Sequence, residues 1–281
     1  LRRFPLKPAT RIRVGIGGWS FEGWRGGAFY PPGLRATEEL AWASRRLGCI
    51  EINSSFYATP APSTWTRWAA EVPAGFVFTL KAHRLATMRR ELLAGADAVV
   101  RFIESGLAAL GEQLGPIVWQ LPPHHAFDAD DLEPFLALLP DATHGLPLRH
   151  VLEPRHPSFA CAEYLALARG YGVATVATDS PDYPNVFDPT ADFSYARLMR
   201  SHADQPAGYP PAELAPWAAR ARTWQAGGLP AGLPLIDPAG ARAQASRPRD
   251  VFIQFISGAK ARNPAAAQAL TALLDQPQTS G

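Results

Sequence analysis

Cys49-Ile-Glu-Ile-Asn-Ser54, the stretch Pro62–Glu71 and the run Phe76-Val-Phe-Thr-Leu-Lys81 form the passage that decides the fold. The two outer runs are short and mostly apolar, as parallel strands covered on both faces require. The stretch between them opens on proline, which suits a first helical turn, and it is long enough for a crossover helix. One β–α–β unit is therefore legible here, and the pattern extends in both directions. Further strands are expected at Ile12–Gly17, Ile117–Leu121, His150–Glu153, Val173–Thr178, Phe193–Leu198 and Val251–Ile256. Helices are expected at Thr37–Leu47 (Thr37 as N-cap), Ala96–Leu114, Asp130–Leu139, Phe159–Gly170, Pro211–Ala226 and Asn263–Leu274.

Eight strands alternating with helices in one chain indicate an α/β protein, a single (β/α)8 TIM-type barrel over residues 1–275. A two-domain doubly wound arrangement is the alternative, but no linker separates two halves. The sixth βα unit is irregular, because Ser180–Asp192 holds prolines and no helical period. The segment before strand eight is rich in Gly, Pro and Ala, and residues 228–249 read as a flexible loop insertion. A disordered tail is expected at 276–281.

The chain has 281 residues, with 47% hydrophobic and 19% charged, which excludes wholesale disorder. A net charge of +2 is too small to argue for a nucleic-acid coat by itself. No apolar stretch is long enough to span a membrane, and no apolar core follows the charged first residues as a secretory leader would need. Cys49 and Cys161 lie far apart and outside any C-x-x-C pair, so reduced thiols and a cytoplasmic location are expected. Lysine occurs only at Lys7, Lys81 and Lys260 in a chain otherwise reliant on arginine. A mid-chain lysine then suggests a task that the broad, permanently charged guanidinium does not serve.

In such a barrel the working face is the C-terminal end of the strands. Strand one runs into Trp19 and Ser20. Strand two carries Glu51 and Asn53 on one side, followed by Tyr57. Strand three ends at Lys81, with Arg84 beyond it, and strand four supplies Gln120. Strand five gives Glu153, Arg155 and His156, strand six ends at Asp179, and strand seven carries Arg197. Charges at a barrel mouth are costly unless paired. They form either a structural ion-pair ring or a polar pocket with acid/base and anion-binding groups.

Several segments carry a resemblance: Gly15-Ile-Gly-Gly-Trp-Ser20, Phe29-Tyr-Pro31, Glu51-Ile-Asn-Ser-Ser-Phe-Tyr57, Phe76–Lys81, Gln120-Leu-Pro-Pro123 and Glu153-Pro-Arg-His156. In order and over nearly the whole chain, they resemble the DUF72 (YecE-like) family. The resemblance implies a TIM-type barrel and no settled activity. The family usually continues Arg-Leu-His-Gly after strand seven, whereas here Arg197-Leu198 leads into Met199-Arg200. Strand eight usually leads into Phe-Asn-Asn, whereas Phe255-Ile256-Ser257 stands here, and the Thr-His after strand three appears as Thr87-Met88.

The chemistry expected is that of an enzyme, a hydrolase or lyase without a tightly bound metal and without a cofactor, acting on a small polar or phosphate-bearing ligand. Glu51, Lys81, Glu153 and Asp179 are the catalytic candidates. The two glutamates would serve as an acid/base pair, and Lys81 with the arginines would stabilise an anion. Trp19, Ser20, Asn53, Tyr57, Arg84, Gln120, Arg155, His156 and Arg197 are the substrate-binding candidates. Nucleic acid is a second candidate partner, through the basic loop His83–Arg90 together with Arg155, Arg197 and Arg200 as phosphate contacts, and nearby aromatics. A carboxylate–His156 metal site, a Schiff base on Lys81 (against which nearby carboxylates are expected to raise the amine's pKa), and a ligand-binding module without turnover are the other readings. No protein partner and no membrane association are inferable.

Overall fold

The computed structural model describes residues 11–276. Eight parallel strands close into a barrel: β1 (Ile12–Gly17), β2 (Cys49–Ile52), β3 (Val77–Lys81), β4 (Leu114–Gln120), β5 (His150–Glu153), β6 (Ala174–Thr178), β7 (Phe193–Leu198) and β8 (Asp250–Phe255). Each strand pairs with its sequence neighbours, and β8 returns beside β1 with Ile12 opposite Val251. The helices are α1 (Glu39–Ser44), α2 (Pro62–Glu71), α3 (Ala96–Ile103), α4 (Ala129–Leu138), α5 (Ala162–Gly170), α6 (Pro211–Gln225), α7 (Pro238–Gln244) and α8 (Asn263–Asp275). Among the described residues no helix is long and apolar enough to cross a membrane.

Two cores account for the strand composition. The larger lies between strands and helices and takes Ile16, Ile50, Ile52, Phe78, Leu80, Trp119, Leu152, Leu198 and Ile253. The smaller fills the barrel interior with Cys49, Val77, Val118, Val151, Val176, Phe193, Tyr195 and Phe252. Side chains alternate along a strand, so the residues two further on face the same interior at the upper end. Glu51 therefore follows Cys49, and Arg197 follows Tyr195. At the lower end Arg149 and Arg13 both reach Asp250 and lie over the Phe252 ring, which closes the bottom of the barrel.

Glycine is required where β1 leaves the barrel. A Cβ on Gly17 would stand 2.5 Å from the Asn53 side-chain nitrogen, and Gly18 turns with φ +74. Side chains rarely adopt that backbone, so the tight exit depends on Gly18.

Several expected boundaries move. The helix expected at Ala96–Leu114 stops at Ile103, and a 3-10 segment over Leu107–Gln113 follows. Gly106, with φ 92, makes the break, and apolar spacing alone does not reveal it. Thr37 is not the cap of α1. It lies inside a 3-10 turn over Ala36–Glu38, and Arg35 and Glu38 pair around that turn's start.

No helix forms in residues 179–192. The segment expected as a flexible loop before β8 instead carries α7. Asp237 caps that helix by accepting from the Gly240 amide at 3.1 Å. The fully buried carboxylate of Asp188 accepts the Ile236 and Asp237 amides, both at 2.9 Å, and Arg169 of α5 donates to Asp237 at 2.5 Å. The helix is thereby pinned to the crossover that lacks one of its own. Of the expected tail, all but Gln276 lies outside the described residues.

Candidate functional site

The upper barrel interior is organised around Arg197. Its guanidinium donates to Glu51 Oε1 at 2.8 Å and to Glu153 Oε2 at 2.5 Å. The remaining oxygens are also taken. Tyr195 donates its hydroxyl to Glu51 Oε2 at 2.8 Å, and Arg155 donates to Glu153 Oε1 at 3.2 Å. The network runs further down: Gln254 donates to Thr79 at 3.3 Å, and the Thr79 hydroxyl lies 2.8 Å from that of Tyr195. Because Tyr195 gives its proton to Glu51, Thr79 donates to Tyr195. Glu51 is 0% exposed, Arg197 1% and Glu153 3%.

Burial pushes the Glu153 carboxyl up, but Arg197, Arg155 and Lys81 outweigh it and hold it below the usual carboxylate range. Burial likewise lowers Arg197, and Glu153 and Glu51 reverse the effect and keep it firmly charged. This arrangement does not suit the expected acid/base pair. Both carboxylates are buried, and all four of their oxygens already accept hydrogen bonds from Arg197, Arg155 and Tyr195.

A cavity of about 790 Å³ opens above this floor. Its lining takes Asn53, Tyr57, Lys81, Gln120, Arg155 and Arg197 from the expected set. Sequence reasoning did not assign Phe56, Met88, residues 180–183, Met199, Ile256 and Lys260 to the site, whereas Arg200 was expected there as a phosphate contact. Lys260 had a signal, since it is one of three lysines and follows the end of β8 by five residues. The loop residues had none, because their position depends on a crossover without a helix.

Lys81 stands at the junction of floor and cavity. Its Nζ lies 3.8 Å above the Phe56 ring, and among the described residues it has no ion pair. The strand ends that carry it are tied by the Ser55 hydroxyl, shared between the carbonyls of Ile52 (2.8 Å) and Lys81 (2.7 Å). Burial lowers the Lys81 ammonium to about 8, with Arg197 pushing the same way, against the pull of Glu51 and Glu153. The sequence-based expectation was the reverse, that neighbouring carboxylates would raise it. Burial decides the sign, and Arg197, which binds both carboxylates, adds to it.

The other expected residues lie elsewhere. Asp179 is outside the cavity lining. It accepts the Met199 amide at 2.6 Å and the Tyr209 hydroxyl at 2.8 Å, so it anchors the chain leaving β7. Burial pushes its carboxyl up, against those two donors. His156 accepts the Ser158 amide on Nδ1 at 3.2 Å and caps the short turn over Pro157–Phe159. Trp19 packs edge-on against Trp68, at 5.0 Å between ring centres. Ser20 and Arg84 are exposed and line no part of this cavity. Glu51, Glu153, Asp179 and His156 do not gather into a metal-ligating group, and no such group of His, Cys, Asp and Glu occurs among the described residues.

Residues 13–280 match the family profile described as protein of unknown function DUF72. The chain belongs to the DUF72 family. The UPF0759 protein YecE of Escherichia coli (strain K12) is 29% identical over 174 residues, covering 60% of this chain and 59% of that protein. The match thus spans less than two thirds of that relative. A DUF72 protein from Thermotoga maritima superposes with a TM-score of 0.70 at 19% identity, covering 94% of this chain and 99% of that one. Another, from Enterococcus faecalis, gives 0.68 at 15% identity, with 95% and 97% covered. At these identities the likeness to the solved DUF72 structures is one of fold. The DUF72 assignment fixes the barrel and leaves the chemistry to the side chains of this chain.

Proposed function

We propose that this DUF72 barrel binds a small anionic, phosphate-bearing ligand in the cavity at the C-terminal ends of its strands and acts on it there. The observation that carries the reading is the charge of the lining: Lys81, Arg155, Arg197, Arg200 and Lys260 line the cavity with Asp182 as the one carboxylate among the described residues. Arg197 and Arg155 are partly neutralised by Glu51 and Glu153, so Arg200, Lys260 and Lys81 hold the uncommitted positive charge. Arginine and lysine at a partly enclosed cavity form strong charge-assisted bonds to phosphate oxygens. In this reading the two glutamates set the posture of the arginines and do not exchange protons with the ligand.

The test is a thermal-shift series with inorganic phosphate, sugar phosphates and the corresponding free sugars, on wild type and on the Arg200→Ala/Lys260→Ala double variant. A ligand at about 100 times its Kd stabilises by about 2.7 kcal/mol. Phosphate-dependent stabilisation that is lost in the double variant supports the reading. Equal responses to phosphorylated and free sugars contradict it.

A second reading rests on Tyr57, which is 67% exposed in the cavity lining and whose carbonyl lies 3.2 Å from His83 Nε2, in the loop that goes on to the exposed Arg84, Arg89 and Arg90. An aromatic face beside several arginines suits a single-stranded nucleic acid, with stacking and phosphate contacts. Affinity for short oligonucleotides that falls steeply with salt, and is weakened by Tyr57→Ala, would favour it over the small-ligand reading.

A further inference from the structure

We propose that Lys81 is a nucleophilic amine that forms an imine with an anionic aldehyde or ketone bound in the cavity, the anion being held by Arg200 and Lys260. The proposal rests on the phosphate-binding reading above and names its substrate class. Three observations carry it. The amine faces the cavity from the end of β3, on a rigid strand whose carbonyl is fixed by Ser55. Among the described residues it makes no ion pair, and the Phe56 ring lies under Nζ at 3.8 Å and holds it in place. The two carboxylates that could have paired with it are consumed by Arg197, Arg155 and Tyr195. A lysine kept among other cations and partly out of water presents a larger neutral fraction near physiological pH than an ordinary lysine, and only the neutral amine attacks a carbonyl. The direction of the Lys81 shift, downward through burial and Arg197, agrees with that placement.

The step balances without an added oxidant or reductant. The Nζ lone pair bonds to the carbonyl carbon, and the carbon–oxygen π electrons move to oxygen, which is protonated. The resulting carbinolamine loses its hydroxyl as water, taking both amine hydrogens in total, and a C=N bond remains. Addition of water reverses the sequence and returns the free amine.

The chain suits a direct test because it has three lysines, Lys7, Lys81 and Lys260. The whole protein is incubated at pH 7 with glycolaldehyde phosphate or with uncharged glycolaldehyde, reduced with cyanoborohydride, and mapped by peptide mass spectrometry. The expected result is about tenfold more adduct on Lys81 than on Lys260 with the phosphorylated probe. Free glycolaldehyde should give less, inorganic phosphate should suppress the reaction, and Lys81→Arg should abolish the preferred adduct. Equal labelling of Lys81 by both probes, without competition from phosphate, would keep the imine and overturn the anion site. Stabilisation by inorganic phosphate with no preferred adduct on Lys81 would keep the anion site and overturn the imine. Neither effect would overturn both.

Discussion

Arg197 holds Glu51 at 2.8 Å, and by doing so withdraws from Lys81 a carboxylate that would otherwise pair with it. The same guanidinium takes Glu153 on its other side. The charged ring at the top of the barrel is therefore divided. Its acids and one arginine make a buried floor, and the remaining cations face the cavity.

Removing the centre of that floor should be severe. Arg197→Met leaves two buried carboxylates without their shared partner, and cutting one side of a buried ion pair costs about 3–5 kcal/mol. A urea unfolding midpoint within error of wild type would show that the floor does not depend on this arginine. Arg197→Lys should not restore stability, since an ammonium cannot reproduce the two-sided fork.

Lys81 should behave in the opposite way. Its folded value is depressed to about 8 from 10.5, so the unfolded chain binds more protons between those limits. Stability then rises with pH across that window, and the cost of the buried ammonium is fully present below it. A shift of this size corresponds to at most roughly 3 kcal/mol. Lys81→Met is expected to stabilise the protein by about 1–3 kcal/mol at pH 7, with the gain shrinking towards pH 10.5. Denaturation curves at the two pH values check this, and a destabilised variant at pH 7 would contradict it.

Glu153 gives the acid counterpart. Its folded value lies below the ordinary 4.5, so its contribution is present above that pH and is lost as pH falls through the lowered value. Wild type should lose stability on acidification below about pH 4.5, and Glu153→Gln should show a shallower acid slope from a lower starting stability. Parallel acid slopes for the two proteins would place the titrating group elsewhere.

The strands and the level of their polar ends were legible because a parallel barrel imposes simple rules. Covered strands read as apolar runs, and a charge that ends such a run stands at the rim. That logic found Glu51, Lys81, Glu153 and Arg197. It could not say which acid pairs with which base, because Arg197 and Lys81 are equally plausible partners until the barrel closes and brings β7 across from β2. Nor could it separate rim residues that face the cavity from those used locally. His156 serves a turn and Trp19 packs on Trp68, choices made by neighbours within a few ångströms. Helix α7 was invisible because its support, Asp188 and Arg169, comes from segments distant in the chain.

The hydroxyl of Tyr195 links the interior chain of hydrogen bonds to Glu51. Tyr195→Phe leaves Thr79 and Glu51 each short of a buried partner, and about 1–3 kcal/mol of stability should be lost without loss of phosphate binding. Retained stability would mean that the two groups find new partners. Loss of binding at retained stability would put Tyr195 in the ligand site.

The most direct test of the account is the titration of Lys81 itself. Lysine labelled with carbon-13 at Cε gives one signal for each of three residues, and Lys81→Arg assigns the signal in question. The account predicts a midpoint near 8 for Lys81 in the folded protein. A midpoint at or above 10.5 would mean that Glu51 and Glu153 hold the amine after all, and that Arg197 does not divide the ring.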